Sequence, residues 1–368
     1  INVDWFAISH FSVYLANLVK TANLVKVYAL DTGFGKKISN LGAEFHPIKL
    51  SRENSGIFSE LKSILEIYMD LRTENTDIIE CFTIKPSLII GMLNLFFGIK
   101  SRIVLYITGL GTIVNSQNLF GKLKKFIFIS IYKLIALRKN INLIVENKDD
   151  ADLLIYGTSI KSDRISLIPG TGVDLNIFKP APTFSLNNNK TVLMVSRLLK
   201  EKGIEILDDA AGYVLKKHKN INFLVAGEID ESSPSSYKFS DLEKFKNLNF
   251  LGRQSDVHNT MSKADIFVHP TYYREGFPRV LMEASASGLP IITTDIQGCR
   301  DAIINRVTGL IVPPKNSKVL ADAIISLINN CTLRNKLGFN ARAHAEIYFA
   351  EDILSKKHVN ATLGIIQI

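Results

Sequence analysis

The chain is poor in the residues that staple a fold or cross a membrane. Among 368 residues there are three cysteines, Cys81, Cys299 and Cys331, odd in number and too far apart for any zinc spacing. So sparse a count argues against a disulfide framework and for a reducing compartment. The longest apolar runs, such as Leu88–Ile99 and Phe126–Leu137, fall short of the ~20 residues a spanning helix needs. No secretory signal is visible, and no repeat or low-complexity tract beyond three consecutive asparagines. The expectation is a cytoplasmic protein, with or without contact to a membrane. Basic residues are dispersed and match no aromatic–basic module, so nucleic acid is not an expected partner. Phosphate motifs are missing too. Gly33-Phe34-Gly35-Lys36 is too short for a Walker loop, and Gly109-Leu110-Gly111 lacks the third glycine of a dinucleotide fingerprint. The only Asp-x-Asp, Asp150-Ala151-Asp152, falls at a helix start with its carboxylates on different faces. It reads as capping and surface charge, and no metal site is expected.

What is present is charge and alternation. A formal charge of +9 favours anionic partners, nucleotide diphosphates and acidic membrane surfaces among them. The length suggests two domains. Strand-like runs alternate with helical ones, the pattern of α/β domains with parallel sheets. In the first half the strands are expected at 24–30, 43–49, 77–82, 101–107, 141–147 and 164–169, with helices such as Ile57–Thr73 and Leu119–Arg138 between them. Residues 170–190 break the rhythm with glycine, proline and asparagine and read as a linker. Strands resume at 191–197, 221–227, 248–252, 265–270, 290–295 and 308–314, and the chain closes on a helical stretch that could pack back across the linker. The expected domains are 1–178, 179–345 and a returning segment 346–368. The opening INVDWF reads as the end of a strand and a turn, as though a strand near the middle of the first sheet were missing.

The richest stretch is DIFVHPTYYREGFPRVLMEASASGLPIITTD, residues 265–295. Glu275 and Glu283 stand in a strand–turn–helix–strand unit. Pro278 suits the first helical position, and the amides of Arg279, Val280 and Leu281 would point out of the helix start as an anion site. Upstream, Arg197 and Lys202 follow a strand, at the edge where open α/β sheets bind ligands. Arg197 offers a planar fork and Lys202 a point charge for phosphate oxygens. Taken alone, both also read as solvated loop cations. Gly252 and Arg253 could edge a nucleobase or form a plain turn.

EGFPRVLMEASASGLPIITT, SRLLKEKG and GVDLNIFKP together resemble retaining glycosyltransferases of the GT-B fold, glycosyltransferase family four. The resemblance covers essentially the whole chain and is strongest from about 165 to 345. It implies two facing Rossmann-like domains with the active site between them. It implies that Glu275 faces the donor sugar and that Glu283 holds the ribose. Arg197 and Lys202 would hold the diphosphate, and the backbone of Gly276, Phe277, Pro278, Arg279 and Val280 would cradle sugar and phosphate. Family members retain anomeric configuration and need no metal, so no cofactor is expected beyond the nucleotide-sugar substrate. Glu283 also reads as a helix-face carboxylate paired with a neighbour.

The first half should hold the acceptor. Many family members carry a histidine after its fourth strand; here the segment reads LYITGLGTIV, with Thr108 at that place and a backbone loop Gly109–Gly111. Some bacterial transferases acting on lipid-linked saccharides have a similar Gly-Leu-Gly segment. His10 is expected where the first helix begins, as an acceptor contact or a partly buried helix residue. Residues 118–140 are apolar and basic together, and read as a helix lying on anionic lipid or as a core helix. The combined expectation is a retaining, metal-independent transferase that moves a hexose or N-acetylhexosamine from a UDP-sugar to a lipid-linked saccharide at the inner membrane face. Its rivals are a sugar-nucleotide epimerase of the same architecture and a non-catalytic nucleotide-sugar binder.

Overall fold

The computed structural model describes residues 3–49, 57–73, 75–114, 119–181, 189–231 and 233–365, with backbone alone at 57–61 and 112. Ile1 and Asn2 of the expected strand end, Asn118 of the basic–apolar segment and residues 182–188 of the expected linker lie outside the described residues. The chain divides into two compact units, Ile1–Thr171 with Glu351–Ile368, and Gly172–Ala350. The sequence reading set these junctions at 178/179 and 345/346.

The first unit carries β1 (Lys26–Ala29), β2 (Glu44–Pro47), β3 (Ile78–Phe82), β4 (Arg102–Ile107), β5 (Ile141–Val145) and β6 (Ile165–Leu167). They form two sheets, β1-β2 and β3-β4-β5-β6, and every named pairing is parallel. β1 and β3 are end strands, and a cavity of about 890 Å³ is lined by residues of both, Val27, Ile79 and Cys81 among them. β4 is interior, and its residues Ile103–Ile107 are all buried. That is why it reads as a continuous apolar run rather than an alternating one. Ile103, Leu105 and Ile107 pack with Phe128, Tyr132 and Ile135 of the Leu119–Ile135 helix and with Leu154.

The Glu351–Leu363 helix belongs to this unit and is fixed by polar contacts rather than a strong apolar face. Thr362 Oγ1 and the Tyr14 hydroxyl, both 2.5 Å away, donate to the two oxygens of Glu80. Arg102 Nε donates to the Thr362 carbonyl at 2.9 Å. His358 accepts from the Tyr106 hydroxyl at Nδ1, 2.6 Å, and donates from Nε2 to the Gly170 carbonyl, 2.9 Å. Burial keeps this ring neutral.

The second unit has one six-stranded parallel sheet: β7 (Lys190–Val195), β8 (Ile221–Ala226), β9 (Asn249–Gly252), β10 (Ile266–His269), β11 (Ile291–Thr294) and β12 (Gly309–Val312). Its order is β12-β11-β10-β7-β8-β9. The chain therefore winds outward from β7 to β9, then restarts on the other side of β7 with β10. The boundary between β7 and β10 is a topological switch point, where helices diverge and leave a crevice at the carboxyl ends. Each of the twelve strands among the described residues falls inside the run expected for it, except that β7 begins one residue before its run. Among the described residues no helix is long and apolar enough to cross a membrane.

Burial pushes the His358 pKa down to about 4, only partly opposed by its bond to Gly170. A folded-state pKa below the ordinary 6.5 gives stability that is full above that value and is lost as pH falls toward 4. The loss attributable to this ring should reach about 3 kcal/mol. Urea unfolding between those pH values should show it, and His358→Gln should remove this part of the slope.

Candidate active site

Each expected site residue of the second unit follows the carboxyl end of a strand. After β7 the chain makes a short turn at Lys200–Lys202 and enters the Ile204–Leu215 helix through Gly203, at φ +82°. A Cβ at Gly203 would lie 2.2 Å from the Pro270 carbonyl oxygen. Glycine therefore lets the turn after β7 close directly on the end of β10. That closure sets Lys202 against the motif loop. Its Nζ lies 2.5 Å from Glu275 Oε1, and His269 Nε2 lies 3.2 Å from the same oxygen.

All three side chains are largely withdrawn from solvent, Lys202 at 12%, Glu275 at 14% and His269 at 1% exposure. Burial alone would raise the Glu275 pKa. The Lys202 charge and the His269 contacts outweigh it and hold the carboxyl well below its usual range. Burial lowers the His269 pKa despite the adjacent carboxylate. The ring is then neutral, and with Nε2 donating to Glu275 its buried Nδ1 has no partner among the described residues. His269, the last residue of β10, thus touches Glu275 directly.

The loop after β11 completes the setting. Gly298, at φ +78°, would place a Cβ 2.3 Å from the Gly276 carbonyl oxygen, so this loop packs backbone to backbone on the motif. It brings the buried Cys299 thiol into the group, and burial pushes that thiol well above its ordinary pKa. Among the described residues His269, Glu275 and Cys299 are the one set whose ligand atoms, all within 4.8 Å of one another, could share a metal ion. The Lys202 ammonium already stands on its carboxylate. The sequence reading missed this set because its members stand at the end of β10 and in the loops after β10 and β11.

The motif helix runs Arg279–Ala286. Pro278 is its N-cap, at φ −67° and ψ 110°, rather than its first residue, because its backbone is still extended. The Leu281 amide donates to the Pro278 carbonyl at 3.0 Å, so one of the three amides expected to face a ligand closes the first turn. Phe277 is buried and edge-on to Phe349. Arg279 Nε meets Glu283 Oε1 at 3.1 Å, one helical turn apart. Burial raises the Glu283 pKa, and Arg279 offsets part of that. Arg197 pairs with Asp230 beyond β8 at 2.5 Å, and Arg253 with Glu228 at 3.3 Å. Gly252 ends β9 with open space where a side chain would stand.

In the first unit His10 lies well inside the Asp4–Thr21 helix, not at its start, because the helix begins six residues earlier at Asp4. It stands beside a kink at Phe11, stacked on Phe6, with Nδ1 2.7 Å from Ser9 Oγ. Thr108 and Gly109 form the loop after β4, and Gly111 opens the next short helix. Asp150 corrects the surface-charge reading. It is fully buried and accepts the Leu110 amide and Asn147 Nδ2, each at 3.0 Å. Its role is to anchor the Gly109–Gly111 loop.

Residues 178–344, nearly the whole second unit, match the family described as glycosyl transferases group 1. Those residues carry that family's domain. The chain is 27% identical over 365 residues to the N,N'-diacetylbacillosaminyl-diphospho-undecaprenol alpha-1,3-N-acetylgalactosaminyltransferase of Campylobacter jejuni, covering 96% of this chain and 94% of the relative. To the UDP-Gal:alpha-D-GlcNAc-diphosphoundecaprenol alpha-1,3-galactosyltransferase of Escherichia coli it is 26% identical, covering 78% of each. Anabaena HepE, solved in complex with UDP, superposes with a TM-score of 0.77 at 18% identity over 96% of both chains. The fold of the chain is therefore GT-B.

Removing the cation from the buried pair should expose its weight in this glycosyltransferase. Lys202→Met should cost about 3 kcal/mol at neutral pH, because Glu275 keeps its burial and loses its counter-charge. Adding Glu275→Gln to that variant should recover most of the loss. Urea unfolding of the two variants beside the parent checks both.

Proposed function

We propose that this glycosyltransferase moves a hexose or N-acetylhexosamine from a UDP-sugar to a saccharide carried on a lipid diphosphate, in bacterial surface polysaccharide or glycan synthesis. The transfer retains anomeric configuration and uses no metal ion. The observation that carries the reading is the Lys202–Glu275 pair at the switch point between β7 and β10. The acceptor class is supported by the C. jejuni and E. coli relatives, both named for diphospho-undecaprenol substrates. A uridine nucleotide is supported by the name of the E. coli relative and by the UDP of the HepE structure.

Cleaving the sugar–phosphate bond leaves negative charge on the departing diphosphate. Arg197, Lys202 and the start of the Arg279–Ala286 helix supply fixed positive charge for it, the part a metal ion plays elsewhere. Glu275 is held ionised, so its task is to accept hydrogen bonds from sugar hydroxyls and oppose the positive charge of an oxocarbenium-like sugar. It has no proton to give at neutral pH. Glu283 takes the ribose hydroxyls, Gly276–Val280 line sugar and phosphate, and Gly252 and Arg253 edge the base. His10, Thr108, Gly109 and Gly111 belong to the acceptor side. Peripheral contact with the inner membrane face, through residues 118–140, completes the reading.

UDP should raise the thermal stability of the protein without added metal, and Glu283→Ala and Arg197→Ala should weaken that rise. Arg197→Ala should also lower turnover by about 10²–10³, the effect of losing one fixed oxyanion donor. Turnover should survive EDTA, and the product's anomeric coupling should match the donor's. Stabilisation by GDP or ADP alone would move the donor to another nucleotide, and no response to any nucleotide would remove the reading.

A further inference from the structure

The Leu119–Ile135 helix has two apolar faces. Its buried residues, Gly121, Phe128, Tyr132 and Ile135, fall within about 60° of the helix circumference and meet the core. Leu119, Phe120, Leu123, Phe126, Ile127 and Leu134 fall on the opposite side, within about 120°, and all are exposed. The exposure is large, 85% at Leu119, 76% at Phe120 and 69% at Phe126. A core helix of this length buries one stripe and turns polar residues outward. Here the outward stripe is the more apolar one.

Lysines frame it. Exposed Lys122 and Lys133 lie along one border and exposed Lys124 along the other, and residues 119–140 contain no aspartate or glutamate. Arg138 stands apart from this set, because its guanidinium donates to the Leu95 carbonyl at 2.6 Å. That bond brings the end of the Ile84–Phe97 helix, with exposed Phe96 and Phe97, to the end of the stripe, where Leu137 is exposed too. At 17 residues the helix is about 26 Å long and anchored along its inner face, so it can lie on a bilayer but not cross it.

We propose that this outward stripe is a membrane-docking face. Its aliphatic and phenyl side chains enter the acyl boundary, and Lys122, Lys124 and Lys133 sit at the level of anionic headgroups. The one-signed border selects the occupant. A second copy of the chain would set lysine rows against lysine rows, whereas an anionic bilayer answers both the apolar stripe and its frame. This deepens the peripheral contact proposed above and rests on it for its purpose, presenting the first unit to a lipid-borne acceptor.

The test is co-sedimentation of the purified chain with vesicles of phosphatidylcholine alone and with about one third phosphatidylglycerol, at about 0.1 M and about 0.5 M salt. Binding should require the anionic lipid and weaken at the higher salt. Leu123→Gln/Phe126→Gln/Leu134→Gln should reduce it at least about tenfold while leaving the melting temperature unchanged, since all three side chains are exposed. Lys122→Gln/Lys133→Gln should reduce it roughly fivefold for each lysine. No binding to anionic vesicles, or equal binding by the triple variant, overturns the proposal. So does a dimer that the triple variant dissolves without any vesicle binding, which would make the stripe a self-interface. The measurement uses neither donor nor acceptor. Loss of the response to UDP would remove the transferase reading and leave this one standing.

Discussion

A carboxylate kept out of water needs a cation, and in the second unit that need ties the two halves of the sheet together. Glu275 follows β10 and Lys202 follows β7, strands that are neighbours in space and far apart in sequence. Their pairing closes the sheet's switch point chemically where the fold leaves it open. The geometry is bounded on both sides by backbone contacts that admit no side chain, Gly203 on the Pro270 carbonyl and Gly298 on the Gly276 carbonyl. The charged pair is thus held by main chain, which moves less than side chains do. A buried ion pair gains little net stability over an apolar pair, and its retention here is better explained by what the ionised Glu275 can do.

The expected site cations of this unit are each matched by an acid. Arg197 has Asp230, Lys202 has Glu275, Arg279 has Glu283 and Arg253 has Glu228. The pairs differ in depth. Arg197 and Arg253 are largely exposed, so solvent screens their pairing and a diphosphate could take either guanidinium over at small cost. The Lys202 pair is buried, and breaking it would be expensive. In the proposed reaction a ligand would therefore exchange partners with Arg197 but be added to the Lys202–Glu275 pair without separating it.

Much of this was legible in the sequence. Every strand could be placed because β-branched and aliphatic runs such as Arg102–Ile107 are interior to parallel sheets and carry no competing helical period. Glu275, Lys202 and Arg197 could be named because each follows such a run. Local sequence could not show which partner each charge would find, since Asp230 and Lys202 reach their partners only through the order of strands. Nor could it separate the two faces of the Leu119–Ile135 helix, apolar on both sides, which reads as apolar all round until the packing of Phe128 and Tyr132 defines an inside. Asp150 was misread for a related reason. An acid in the first turn of a helix looks like a surface cap, and only the return of Leu110 onto it makes it a buried anchor.

The proposal of a metal-free site rests on the surroundings of Glu275, where the Lys202 ammonium already stands on the carboxylate. His269, Glu275 and Cys299 offer one nitrogen, one oxygen and one sulfur within reach of a single ion, a set suited to a soft divalent cation. Such an ion would need the thiol deprotonated, and burial opposes that. It would also have to displace Lys202, whose tether keeps its effective concentration high. A divalent ion would claim the carboxylate's lone pairs and neutralise it. A single lysine charge keeps Glu275 ionised. In the proposed reaction, where Glu275 would face a sugar that gains positive charge, that retained negative charge is the useful property, and the ammonium preserves it.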